Sequence, residues 1–289
     1  MIRSAHRSRF RITVAATAAL LTACTTAPDS PAHDPASSSV TRPRLSRDLP
    51  TDPVRMVLPA TGAESRWTQG LDVFVQQVAR VATDSCARRR GTGLPEEAPV
   101  AFIRYFELPD LDFIARHGTS ESAAVPATPG SPVPTAPSSA AAVRACRAEG
   151  RAAGSALRDS YAALQGRWFT ELTSLRGDPR TVRALRTLSG CLAGRGIRAR
   201  DENAFFALSD ARMQTVAQAE LPRTERQLGS AYAACMRPVE AVREPARLQL
   251  RARFLTVNAA EIRTLRTTLV PALRRAEKRY GVQLAFPEP

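Results

Sequence analysis

The chain has 289 residues, 44% of them hydrophobic and 24% charged, a balance that excludes a disordered or fibrous protein and leaves room for one large domain or two small ones. Its net charge is +14, with one lysine, Lys278, so that nearly all the positive charge is arginine. Arginine excess with so little lysine fits a GC-rich genome as well as a polyanion-binding surface, and charge alone does not choose between them.

The N-terminus carries the plainest signal. Arg3, His6, Arg7, Arg9 and Arg11 form a basic segment, and Ile12 to Leu21 a mostly apolar run. That run is about half of the ~20 residues that a membrane-spanning helix requires, so residues 1–23 read as an export signal rather than an anchor. The absence of an Arg-Arg pair favours the general secretory route. Leu21-Thr22-Ala23-Cys24 resembles the lipobox of bacterial lipoproteins. The resemblance implies a diacylglyceryl thioether on Cys24, cleavage after Ala23, and two acyl chains, the number that stable anchoring takes. Loss of four arginines with the signal lowers the net charge from +14 to +10.

Residues 24–63, rich in Ser, Pro and Asp, read as a flexible tether. A helical domain is expected over 64–281 and a short tail over 282–289. Trp67, Leu71, Phe74, Val78 and Val81 recur at helical steps, with Gly91 as the stop. "LPDLDFIARHG" reads as a short helix with Asp110 near its start. The Pro/Ser/Ala segment 119–140 is expected to be a disordered loop. Val143, Cys146, Gly150, Leu157, Tyr161, Leu164 and Trp168 trace one further helical face. Asp178-Pro179 makes an N-cap with proline at the first helical position, Asp201 starts another helix, and Thr224 to Gln227 fits a capping box. Leu248, Leu255, Ile262, Leu269 and Ala276 fall on a seven-residue step that Gly281 ends, with Pro245 and Pro271 expected to start, kink or interrupt the helix. The fold class is therefore all-α, a multi-helix bundle with a long C-terminal helix.

With Cys24 assigned to lipid, Cys86, Cys146, Cys191 and Cys235 remain, and an even number in an exported chain indicates two disulfides. Three pairings are open. Cys86 and Cys191 each begin a Cys-x4-Gly at a helix end, while Cys146 and Cys235 each lie on the apolar face of a later helix. This repeated order, a candidate two-fold internal repeat, selects Cys86–Cys146 and Cys191–Cys235.

"RYFELPDLDFIARHG", "LSGCLAGRGIRARDENAFFALSDARM", "AYAACMRP" and "LRARFLTVNAAEIRTLRTTLVPALRRAEKRYG" together resemble uncharacterised secreted proteins and lipoproteins of actinobacteria such as Streptomyces. The resemblance covers roughly residues 64–281 and implies an exported helical domain with Asn258 inside its long C-terminal helix. It carries no activity over to this chain.

No nucleophile elbow, zincin motif, phosphate-binding glycine loop or dinucleotide fingerprint occurs. Cysteine and histidine spacings supply no metal site, and no cofactor is expected. Asp110 and Asp112 are the candidate paired carboxylates, although acids in a first helical turn also suit the helix dipole. Trp168 and Phe169 beside Arg167 could form a stacking surface, but a Trp at helical spacing belongs more often to a core. Arg186, Arg195, Arg198 and Arg200 are candidate polyanion contacts. The reading is a non-catalytic, lipid-anchored protein on the extracytoplasmic face of the cell membrane, held through Cys24. Its partners would be an anionic wall polymer, lipid headgroups or an envelope protein, and export argues against nucleic acid. The alternatives are a wall- or lipid-acting enzyme using carboxylates and a small-molecule carrier within the helical bundle.

Overall fold

The computed structural model describes residues 43–105, 107–119, 123–128 and 139–289. The expected signal segment and Cys24 lie outside them. Within them the chain is all-α apart from one small strand pair. Strand β1 (Arg44–Ser46) leads to helices α1 (Val54–Val57), α2 (Gly62–Arg90), α3 (Leu111–His117), α4 (Ala140–Arg158) and α5 (Ala162–Thr173). A 3-10 turn (Ser174–Gly177) precedes α6 (Pro179–Leu185), α7 (Leu188–Ala193), α8 (Glu202–Thr215), α9 (Leu221–Val257) and α10 (Ala259–Tyr280), and strand β2 (Phe286–Glu288) closes the chain. The strands pair antiparallel, Arg44 opposite Glu288 and Ser46 opposite Phe286.

Among the described residues two large apolar cores divide these helices, beside a small third cluster at Val73, Phe102 and Ala123. The larger gathers Phe74 and Val78 of α2, Trp168 of α5, Leu250 and Phe254 of α9, and Ile262 and Leu269 of α10. The smaller gathers Ile114 of α3, Leu188 and Leu192 of α7, Phe205 of α8, and Leu228, Tyr232 and Met236 of α9. Helix α9 thus belongs to the smaller core with its first half and to the larger with its second.

The folded region begins earlier and ends later than 64–281. Val54, Met56, Val57, Leu58 and Ala60 are buried, as are Val282, Leu284 and Phe286, so neither the second half of segment 24–63 nor 282–289 is free chain. The stretch at 58–60 has no backbone ladder. Three side chains supply its donors instead: Arg251 donates to the Leu58 carbonyl at 3.2 Å, Trp168 Nε1 to Pro59 at 2.8 Å and Arg247 Nε to Ala60 at 2.9 Å. Buried carbonyls require such partners. Segment 119–140 is also tied down in part, with Ala123 buried against Val73 and Phe102 and Gln77 donating to the Pro126 carbonyl at 2.7 Å.

The helix ends differ from expectation in three places. The long C-terminal element is two helices that break at Asn258, while α9 runs unbroken through Pro238 and Pro245, and Pro271 lies inside α10. The seven-residue step holds in α10, where Ile262, Leu269 and Ala276 are buried. It fails in α9, where Leu248 is 39% exposed and Leu250 and Phe254 face the core. The Asn258 break resets the phase. Thr224 lies inside α9 rather than capping it.

Both cysteine pairs are bonded, Cys86 to Cys146 and Cys191 to Cys235. The shared Cys-x4-Gly has a shared cause. Gly91 and Gly196 both take positive φ, 59° and 76°. The next amide reaches back five residues to the carbonyl just after the cysteine: Thr92 to Ala87 at 3.1 Å and Ile197 to Leu192 at 2.9 Å. This is a Schellman cap, which needs a left-handed residue and so selects glycine.

Candidate functional site

Among the described residues several concave regions hold polar side chains, and three of them bear on the candidate site. The most enclosed is a crevice of about 20 Å³ among Arg66, Arg104, Tyr105, Phe113, Phe206 and Tyr232. A volume that small holds about one water. A second, of about 440 Å³, runs between the start of α2, α3 and the middle of α9, with Asp110, Asp112, Arg237, Glu240 and Glu244 on its walls. A third, of about 770 Å³, lies between α5 and α9.

Asp110 and Asp112 line the second groove but do not form a reactive pair. Asp110 uses one oxygen to cap α3, accepting from the Phe113 amide at 3.1 Å, and the other to bind the Arg66 guanidinium. Asp112 is 58% exposed and bound by Arg237 at 2.7 Å. Each carboxylate is thus engaged by its own arginine. A general acid or base must reach a substrate proton, and the Asp110 oxygens are both occupied.

Arg186, Arg195, Arg198 and Arg200 are all exposed, Arg186 before α7 and the other three after it. Arg200 meets Asp201 at 3.1 Å. Among the described residues the other three have no acidic partner, which leaves that face positively charged. Trp168 is fully buried, its ring edge-on to Phe254 with centroids 5.4 Å apart, so it is core rather than a stacking surface. Among the described residues no three His, Cys, Asp or Glu side chains group to hold a metal, and no helix is long and apolar enough to cross a membrane.

The polar groups that sequence reasoning missed are buried or half-buried. Arg247, 3% exposed, binds Glu240 and donates to the Glu107 carbonyl at 3.0 Å. Arg243 bridges Glu240 at 3.3 Å and Glu202 at 3.9 Å, and Glu202 accepts from the Tyr232 hydroxyl. Burial raises Glu202 above the ordinary glutamate range, against the lowering by the Tyr232 bond and Arg243. The same burial, with Glu202 alongside, pushes Tyr232 well above the usual phenol range. A second such pair joins α2 to the segment before α3: Asp72 of α2 accepts from Tyr105, and burial raises Asp72 despite that bond. A signal for the first network exists in "EAVREPARLQLR", residues 240–251. Its charges at 240, 243, 247 and 251 recur at helical spacing, a pattern that ordinarily marks a solvated face.

No family model, curated protein or solved structure matches this chain. Its reading rests on its own residues.

Proposed function

We propose that the chain is a lipid-anchored protein of the extracytoplasmic face, with a helical domain that binds a partner rather than catalysing a reaction. Cys24 carries the lipid, the segment after it spaces the domain from the membrane, and the arginine-rich surface meets an anionic wall polymer, lipid headgroups or an envelope protein. The observation that carries this reading is the pair of disulfides, Cys86–Cys146 and Cys191–Cys235. Structural disulfides belong to oxidising compartments, in agreement with the lipobox-like Leu21 to Cys24. The separate engagement of Asp110 and Asp112 supports a binding role, and the open cationic face at Arg186, Arg195 and Arg198 supports an anionic partner.

The test is an intact mass of the chain from the membrane fraction, alkylated with and without reduction. A chain beginning at Cys24, bearing diacylglycerol and gaining four alkyl groups only after reduction is the expected result. An unprocessed chain or free thiols would overturn it. Sedimentation with isolated cell wall should weaken as salt rises, because screening acts on exposed charge.

A further inference from the structure

The seam between α2 and α5 carries polar side chains into the larger core. At one end Trp168 of α5 donates to the Pro59 carbonyl, just ahead of α2, at 2.8 Å. At the other end burial raises the Tyr161 phenol and the charge of Asp72, farther along α2, raises it more, so these two groups are neighbours. The two helices therefore run antiparallel along the seam, and Thr68 and Gln165 fall between its ends. Gln165 follows Tyr161 by one helical turn, its amide bonded to the Tyr161 carbonyl at 2.9 Å. Tyr105 covers the outer side, its ring stacked on Phe169 with centroids 5.3 Å apart and its hydroxyl bound to Asp72.

Thr68, Tyr161 and Gln165 are 0%, 1% and 6% exposed. Among the described residues no protein group bonds Thr68 Oγ1, the Tyr161 hydroxyl or Gln165 Nε2. Buried polar atoms find a partner in the protein or in ordered water, and three in one seam require a common one. Each of the three can donate a hydrogen. Asp72 accepts from Tyr105 at Oδ2, which leaves Oδ1 for another donor. An anion in the seam would lie against the Asp72 carboxylate. A neutral group that accepts from the three donors and donates to Asp72 satisfies all four, and water does both. We infer that this seam is a binding site for ordered water, whose hydrogen-bonded molecules join Asp72 at the half-buried mouth to Tyr161, Gln165 and Thr68 within. The larger core thus contains one hydrated seam beside the apolar packing of Leu164 and Trp168.

The site depends neither on the lipid anchor nor on the arginine-rich face. Water-oxygen magnetic relaxation dispersion on the disulfide-bonded chain tests it, because that measurement counts waters held longer than the protein takes to tumble. Tyr161→Phe should lose at least one such water relative to the unchanged chain. Thr68→Val, which keeps the side chain's shape, should also lose at least one, and it serves alone if Tyr161→Phe folds poorly. Thr170→Val, at an exposed position on α5, should lose none. A dry seam would behave differently, since deleting an unpaired buried hydroxyl removes only its desolvation cost. Thr68→Val and Tyr161→Phe would then raise the melting temperature and leave the water count unchanged. An unchanged count in Thr68→Val, or an equal loss in Thr170→Val, would overturn the inference.

Discussion

The two disulfide-linked regions share a local design and differ in what surrounds it. In each, a Schellman-capped helix end presents a cysteine to a later helix, and in each a half-buried carboxylate accepts from a tyrosine, Asp72 from Tyr105 and Glu202 from Tyr232. In the first region the partners are long, α2 with 29 residues and α4 with 19. They meet so closely that a Cβ on Gly150 would fall 1.9 Å from Thr83 Oγ1 and 2.5 Å from the Ala79 carbonyl oxygen. In the second region α6 and α7 have seven and six residues, and α8 buries only Phe205 and Ser209. The repeat read from the cysteines is therefore a repeat of caps and crosslinks, and the helices around them are not duplicated. Where packing is dense the disulfide adds to a contact already made. Where helices are short, each too brief to be stable alone, the disulfide holds the region to α9.

The largest expected effect comes from removing the crosslinks. The loops they close are similar, with sequence separations of 60 and 44 residues, so chain entropy assigns about 4 kcal/mol to each. The structural response should differ. Cys191→Ala with Cys235→Ala should expose residues 179–215 to amide exchange while α2 stays protected. Cys86→Ala with Cys146→Ala should lower global stability but leave α4 protected against α2. Hydrogen exchange by mass spectrometry separates these, and equal opening of α4 and α8 would erase the distinction.

A somewhat smaller effect should follow from Gly150→Leu, which forces α4 off α2. Overpacking there should cost about 3 kcal/mol, read as a lowered denaturation midpoint with the Cys86–Cys146 bond intact. A neutral outcome would mean that the crosslink, not the close approach, sets this contact.

The smallest effect is in pH. Asp72 and Glu202 are both raised by burial, so each keeps its proton to higher pH folded than unfolded. Between the ordinary carboxyl range and the raised one the folded state binds more protons, and stability falls as pH rises. The contribution is complete below the ordinary value, 4.5 for Glu202, and is lost as pH climbs through the raised one. Glu202→Gln should flatten that decline and reduce the exchange of α8 at neutral pH, whereas Asp72→Asn should leave α8 unchanged. Melting temperature against pH, with exchange at two pH values, checks both.

Much of this frame was legible in the residues. Helical spacing marked α2, α4 and α5, and Asp178-Pro179 and Asp201 do cap α6 and α8. The cysteine order selected the pairs that the structure contains. What was not legible depends on distant partners. A four-residue helix at Val54–Val57 is too short for any period to appear, and the buried carbonyls at 58–60 that follow it depend on donors from Trp168, Arg247 and Arg251. Strands of three residues, paired from opposite ends of the domain, leave no local signature. On α9 the usual inference is inverted: Leu248 faces solvent, while Glu240 and Arg247 lie inside. A charged stripe looks the same in sequence whether water or a buried counter-charge satisfies it. Asp110 and Asp112 were found as acids, but their arginines, Arg66 and Arg237, lie 44 and 125 positions away.

The pairing of Arg44 with Glu288 brings the two ends of the folded region side by side. Tension applied through the chain ahead of Arg44 would load that rung first and open the strand pair one rung at a time, as a zipper opens, rather than shearing all its bonds together. The helices behind it lie farther along the chain, so β1 forms a mechanical fuse that yields before the cores do.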